Sequence, residues 1–266
     1  FLSQEQVATT VLTLSDDDQA KILNGKIIPG DRVFYPVKSH IASSVPKVEK
    51  NNLDGKNVWF FNHTSDDAYS RMRSMIEEKG GNLSNDYEDS DLFIHMTGNL
   101  AGSLNLNPEV EKLAGRELTD LFRTEWDKLV KEFIIMPAQG TQEALDVFVP
   151  GGSDDPRKFK GAKGRIVIIG PHLPRAKHSD PKDKQFIKLA RAKVEVFRGA
   201  LRPFVTTVNQ ELSDVLKSNI RVFLILPGSI DGKEPSRENL VNTINYLMSD
   251  EAASSSEVIF CPDETR

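Results

Sequence analysis

The residues best suited to binding a metal ion stand in one short stretch of this sequence. His172 and His178 are followed by Asp180 and Asp183, and imidazole and carboxylate groups are ordinary metal ligands. Their spacing matches no standard metal site, however, and the stretch is rich in proline and charge. We therefore interpret it as a loop and predict no metal centre in this chain.

Other single residues offer little further chemistry. His63 and His95 fall at the ends of predicted strands, where a histidine more often serves packing than proton transfer. The chain contains no Gly-x-Ser-x-Gly nucleophile elbow and no phosphate-binding P-loop. Catalysis through those two motifs is therefore not expected.

Composition narrows the classes of partner and the location. The 266 residues include 34 basic and 39 acidic side chains, a formal net charge of −5. A surface of that sign gives nucleic acid and anionic membranes no electrostatic reason to bind, and the basic stretch 157–165 is interpreted as a solvated loop.

No apolar stretch approaches the roughly 20 residues of a membrane span. Cys261 is the only cysteine, so we predict no intrachain disulfide and a cytoplasmic location.

The elements that must position any site follow an alternating α/β order. Short apolar runs predict buried strands, and amphipathic stretches of helical period separate them. Predicted strands cover residues 57–62, 91–96, 165–169 and 220–226, and predicted helices cover 67–79, about 117–136 and about 183–217. This order predicts an α/β fold with a doubly wound parallel sheet of Rossmann type.

The two ends of the chain resemble each other. Residues 7–17 align with residues 241–251 at an offset of 241 − 7 = 234 residues, and a strand-like run follows each copy, at 26–28 and 257–260. We interpret the copies as the closing helix and strand of two domains. The chain then divides into the tail of a preceding domain (1–38), a linker (39–52) and a second domain (53–266). An unrelated N-terminal helix with a chance match is the alternative.

Five stretches carry a family resemblance. They are Leu53-Asp-Gly-Lys56 before the first strand, then Arg198-Gly-Ala-Leu201, Asn209-Gln-Glu-Leu212, Asn219-Ile-Arg-Val222 and Leu226-Pro-Gly-Ser-Ile230. Together they make residues 53–261 similar to the short-chain dehydrogenase/reductase family. The resemblance implies a Rossmann-type fold, a nicotinamide cofactor and a tyrosine-centred proton relay, each of which the residues must then support.

The turn that would hold the cofactor lacks what the chemistry needs. A dinucleotide pyrophosphate requires glycines after the first strand, so that backbone N–H groups can approach it. Asn62, Asp66 and Ala68 fall on the positions where the family places glycine, and acidic side chains there repel phosphate. Gly98 and Gly102 form a weaker alternative loop. We predict no cofactor-binding residues in this chain, and NADPH bound elsewhere in a longer parent enzyme.

The catalytic positions are altered as well. Where the family carries Tyr, Lys, Ser and Asn, the aligned residues are Val194, Arg198, Pro171 and Phe133. Valine, proline and phenylalanine have no side-chain proton to exchange. No Tyr-x-x-x-Lys occurs anywhere in the chain, because the residues four positions after its tyrosines are Ser39, Arg73, Asp91 and Asp250. We predict that this chain has no catalytic residues.

One helix carries an apolar stripe. Its members recur at spacings of 3, 4 and 4 residues, which places them on one face of the helix: Val194, Phe197, Leu201 and Val205. We predict that the stripe serves packing or association, with Arg191, Arg198 and Arg202 beside it. In the family the corresponding helix commonly lies in a subunit interface, so the resemblance implies a homo-oligomer. Coverage of the domain's own sheet is the alternative.

The order of a domain tail, a linker and a chemically emptied domain resembles the tandem reductases, most closely the bacterial bifunctional malonyl-CoA reductases. The resemblance implies a non-catalytic partner domain of a larger NADPH-dependent reductase, supporting assembly of a neighbouring catalytic domain or substrate access to it. Because the chain starts with Phe1 rather than Met, we expect it to be cut from something longer. Two alternatives stay open: a stand-alone binding or scaffold protein, and a reductase with a rearranged site.

Overall fold

The computed structural model describes residues 50–61, 67–84, 87, 89–97, 123–149, 151–152, 154–171, 181–227, 235–254 and 258–261. All of them belong to one unit, Ile41–Arg266. The predicted tail 1–38, the linker up to residue 49 and the turn 62–66 lie outside the described residues. So do Gly98, Gly102, His172 and His178. The division of the chain into domains therefore stays a prediction.

The described strands form one parallel sheet, as predicted. They are β1 (Asn57–Phe61), β2 (Asn82–Leu83), β3 (Leu92–Met96), β4 (Lys163–Ile169), β5 (Asn219–Pro227) and β6 (Val258–Cys261). Their order across the sheet is β2-β1-β3-β4-β5-β6, and every neighbouring pair is parallel. The chain leaves β1 toward one edge of the sheet and leaves β3 toward the other. The gap between the carboxyl ends of β1 and β3 is thus a topological switch point, where open α/β sheets place ligands.

Helices cover both faces of the sheet. They are α1 (Asp67–Glu78), α2 (Arg123–Val130), α3 (Met136–Phe148), α4 (Pro181–Gln210) and α5 (Pro235–Leu247). A π-helical turn, Lys131–Ile135, joins α2 to α3, and a second, Glu211–Val215, follows α4. Within the described ranges, no helix has the length and apolar character needed to cross a membrane.

Strand alternation divides the core between the two faces. Alternate residues such as Val58, Ile94 and Phe223 pack against α1 and α5. The intervening residues, such as Phe93 and Leu224, pack against α3 and α4. Because side chains of a strand point alternately to opposite faces, the apolar runs β3 to β5 require a layer of helices on each side. The result is a three-layer α/β/α arrangement.

The helix that was predicted to end at about residue 136 continues to Phe148, which corrects that boundary. Pro137 is the second residue of α3, which directly follows the π-helical turn, and the carbonyl of Pro137 accepts a hydrogen bond of 2.8 Å from the Thr141 hydroxyl. The π-helical turn before it absorbs the interruption in backbone bonding. A proline therefore changes the winding of this helix without stopping it.

The second copy of the sequence repeat has the structure that was predicted for it. Residues 241–247 belong to the closing helix α5, and β6 is the last strand of the sheet. Between them Ser249 accepts a hydrogen bond of 3.3 Å from the N–H of Ala252 in a short 3₁₀ turn, Glu251–Ser254. The first copy lies outside the described residues.

Candidate functional site

Arg198 occupies the centre of the carboxyl edge of the sheet. It lies on α4 and is 2% exposed. Its Nε donates a hydrogen bond of 2.9 Å to the carbonyl of Pro171, which follows β4, and one Nη donates to the carbonyl of Pro227, the last residue of β5. The side chain that aligns with the family's catalytic lysine therefore ties together the ends of two neighbouring strands.

The surroundings of Arg198 explain why its charge is retained. Burial lowers the pKa of its guanidinium to about 10, the carboxylate of Glu195 at 3.6 Å opposes that shift, and Arg202 adds to it. Burying a charge is costly unless partners accompany it, and here two backbone carbonyls accept hydrogen bonds and a carboxylate forms an ion pair. With a pKa of about 10 the group is protonated at neutral pH. It is a charged donor to two backbone carbonyls.

Phe133 fills the space in front of the α4 stripe. It is fully buried in the π-helical turn, and its ring lies 5.0 Å from that of Phe197. Trp126 stacks on the other side of Phe197 at 5.6 Å. Val194 belongs to the same buried cluster. Two of the positions that the resemblance assigns to proton transfer, Phe133 and Val194, are thus parts of an apolar core.

The four aligned positions do converge. Arg198 bonds to the backbone of Pro171, Val194 precedes Arg198 by one helical turn, and Phe133 shares a cluster with Val194. Arg198 thus links α4 to the residue after β4, and Val194 links the same helix to the cluster of Phe133. Their side chains offer packing and a structural cation.

The floor of the switch point is also closely packed. The ring of His95 stacks on that of Phe61 at 5.3 Å, joining β3 to β1, and His95 is buried. A Cβ atom on Gly140 of α3 would lie 3.0 Å from the Phe61 ring and 3.1 Å from His95 Nδ1. Glycine therefore allows α3 to lie directly on this pair. The position of His95 agrees with the structural role expected for it, whereas His63 lies outside the described residues.

Thr97 closes the edge between β3 and β4. Its N–H and its hydroxyl both donate to the carbonyl of Ile169, at 2.9 and 2.8 Å, and the side chain is buried. The hydroxyl is thereby used in holding the strand ends together. It completes a series of backbone ties along this edge, from β3 through β4 to β5.

The α4 stripe packs inside its own domain. Val194 and Phe197 contact the α2 side of the core, while Leu201 and Val205 contact the sheet, and all four are buried. Of the two predicted roles, packing is confirmed and association through these four residues is not supported. The alternative, coverage of the domain's own sheet, describes Leu201 and Val205. A homo-oligomer therefore stays a prediction that other surfaces would have to carry.

Sequence reasoning missed Lys193 and did not assign a role to Asn209, both of which are buried on α4. A lysine and an asparagine on an amphipathic helix carry no local signal of burial, because these residue types are normally exposed. The predicted solvated loop at 157–165 is correct only in part. Arg157 is exposed and pairs with Asp155, and Lys158 pairs with Asp154, but Pro156–Phe159 forms a 3₁₀ turn and residues 163–165 belong to β4. Across the part of the chain that the structure describes, no three metal-binding side chains gather at one place.

Strand order, parallel pairing and helices on both faces define a doubly wound α/β protein of Rossmann type. No family model matches the chain, and no curated protein matches it. Among solved structures, it is similar to enoyl-[acyl-carrier-protein] reductase (NADH) from Aquifex aeolicus VF5, at 13% identity and a TM-score of 0.45, over 80% of this chain and 97% of that chain. It is also similar to the oxidoreductase yciK from E. coli, at 12% identity and a TM-score of 0.46, over 83% of this chain and 100% of that one.

Proposed function

We propose that residues 53–266 are a non-catalytic domain of reductase type, which supports the assembly of a neighbouring catalytic domain or substrate access to it. The larger protein would be an NADPH-dependent reductase resembling the malonyl-CoA reductases. The chemistry would then reside in that neighbour. This chain would contribute a folded surface and no reacting group.

One observation carries the proposal. The four positions that resemble a catalytic set lie together, yet they are occupied by Phe133, Pro171, Val194 and a backbone-bound Arg198. General acid–base catalysis requires a group whose proton moves within reach of the substrate. An apolar core and a buried guanidinium bonded to two backbone carbonyls do not supply one. A stable fold at this edge is what such residues do provide.

The sequence of the first β–α turn adds independent support. Asn62, Asp66 and Ala68 leave the turn after β1 without glycine, and two adjacent acidic residues precede the body of α1. Close approach of a pyrophosphate to a helix N-terminus depends on small residues and on the absence of negative charge. We expect neither NADPH nor NADH to bind here with useful affinity.

Isothermal titration calorimetry of the chain with NADPH, and separately with NADH, tests this expectation. Below about 100 μM we expect no saturable heat. A dissociation constant in the low micromolar range would contradict the proposal. In that case Gly98→Ala and Gly102→Ala would show whether the loop after β3 binds the cofactor instead. Gly199→Ala is their control, because an added Cβ meets no atom within 4 Å there.

A further inference from the structure

The segment that leads into β1 is tied to the closing helix of the domain. The side-chain oxygen of Asn245, on α5, accepts hydrogen bonds from the N–H groups of Asn52 at 2.7 Å and Leu53 at 3.1 Å. Its side-chain nitrogen donates to the carbonyl of Lys50 at 3.2 Å. Asn52 returns a bond of 3.2 Å from its own amide to the backbone carbonyl of Asn245.

This arrangement uses what only a primary amide offers. Asn245 is 6% exposed, and one buried side chain both accepts from and donates to the backbone of residues 50–53. An amide has two donor hydrogens and an acceptor oxygen, whereas a carboxylate only accepts and an aliphatic group does neither. The bonded residues are more than 190 positions apart in the sequence. Local backbone preference therefore does not account for the contact.

The other copy of the sequence repeat lacks an asparagine at this position. With an offset of 234 residues, the counterpart of Asn245 in the first copy is Val11. Val241 and Ser249, in contrast, have the identical counterparts Val7 and Ser15. The amide is thus particular to the copy that receives the linker.

We infer that Asn245 is an anchor that fixes residues 50–53, the segment that leads into β1, to the closing helix α5. Leu53, which is fully buried, holds the other end of this short segment in the core. The inference does not depend on whether the domain binds a cofactor.

Hydrogen exchange of the full chain, followed by NMR at single amides, tests the anchor. In Asn245→Ala we expect the amide of Asn52 to exchange about tenfold faster, because it loses its acceptor. The amide of Leu53 should exchange faster by a smaller factor, since it keeps a longer hydrogen bond of 3.4 Å to Asn51 Oδ1. The amides of Ile168 and Leu224, at the centre of the sheet, should keep their rates. Asn242→Ala is the matched control, since Asn242 lies on the same helix three residues earlier and is partly exposed.

A second variant keeps the test decisive if Asn245→Ala loosens the whole fold. Asn245→Asp retains the acceptor for Asn52 and Leu53 but loses the donor to Lys50, so the two amides should stay protected. Trypsin should cleave after Lys50 severalfold faster than in the unaltered chain. Unchanged exchange in Asn245→Ala, or unchanged cleavage after Lys50 in Asn245→Asp, would overturn the inference. Neither result would bear on cofactor binding, which the calorimetric titration measures separately.

Discussion

At the scale of single residues, Arg198 shows how a buried charge can serve the backbone of its own fold. The arginine here has its planar donors directed at two backbone carbonyls. A guanidinium suits that geometry because its donors diverge in one plane, whereas an ammonium is a single point. Arg198 therefore belongs to the support of the strand ends.

Replacing Arg198 separates that structural role from catalysis. We expect Arg198→Met to lower the free energy of unfolding by about 2–3 kcal/mol, since two buried carbonyls lose a charged donor. Arg198→Lys should recover only part of the loss. Chemical denaturation measures both, with Lys188→Met at an exposed position of α4 as the control. Equal stability of the two methionine variants would contradict the role of Arg198 in holding the strand ends.

Activity of a longer parent reductase gives the complementary test. Arg198→Ala should leave its kcat within a few fold, provided that the protein is assayed at a temperature where the variant stays folded. Loss of a true catalytic lysine lowers the rate by orders of magnitude. A fall in kcat of more than about a hundredfold, with folding and assembly intact, would return Arg198 to catalysis.

At the scale of elements, the join between α2 and α3 decides what faces the α4 stripe. The π-helical turn Lys131–Ile135 places Phe133 in the core and leaves Ile135 at the surface, 44% exposed. A π-helical turn shifts the register of all later residues relative to a regular helix. It thereby aligns Gly140 with the Phe61–His95 pair while Phe133 meets Phe197.

Replacement by alanine within the π-helical turn should lower the stability of the domain by different amounts at Phe133 and at Ile135. Phe133→Ala removes a ring between Phe197 and the rest of its cluster, and we expect a loss of about 3–5 kcal/mol of stability. Ile135→Ala should cost less than about 1 kcal/mol, because its side chain is half in solvent. Thermal unfolding of the two variants compares them directly. Equal losses of stability would contradict the burial of Phe133 and the exposure of Ile135.

A second element-scale contact joins α4 to β5. The side-chain amide of Asn209 donates to the carbonyl of Val222 at 2.6 Å and accepts from the N–H of Val222 at 2.9 Å. The pairing of β6 with β5 starts only at Leu224. The side chain of Asn209 therefore pairs with the backbone of Val222 as a neighbouring strand would. This pairing accounts for the burial of Asn209.

Asn209→Ala should accordingly destabilise the domain by about 2–4 kcal/mol, because a buried N–H and a buried carbonyl lose their partners. Urea denaturation gives the value, and Gln210→Ala, at the next and exposed position, is the control. If both variants unfold at the same urea concentration, the Asn209 contact contributes nothing to stability.

At the scale of the whole molecule, the described residues contain everything needed for a doubly wound fold. The sheet has its helices on both faces, and the closing helix α5 and strand β6 come from the end of the chain. Two buried clusters face the sheet and a third lies between α2 and α4. We therefore expect residues 50–266 to fold without the residues that precede them.

Removing the N-terminal residues tests this autonomy and the anchor together. We expect the chain 50–266 to fold, with a near-native circular dichroism spectrum. The chain 53–266 should fold too, but with a lower Tm, because Asn245 loses Lys50 and Asn52 as partners. A chain 50–266 that is wholly unfolded would show that residues 1–49 are integral to this domain, contrary to the predicted division.

Much of the fold was determined by the sequence alone. Apolar runs located the strands β1 and β3 to β6, and period 3.6 located the stripe on α4. These features depend on burial and on local periodicity, which the order of residue types records directly. Helix ends and the π-helical turns were not predicted, since local patterns do not show how a proline will be accommodated.

The tertiary structure alone decided what the polar residues in the interior do. Asn209, Asn245 and Arg198 look like ordinary surface residues of amphipathic helices, and their partners are backbone groups from 13 to more than 190 positions away. A buried polar side chain is stabilised by whichever unpaired N–H or carbonyl the packed fold brings next to it. That choice depends on three-dimensional proximity, for which a single sequence contains no local signal.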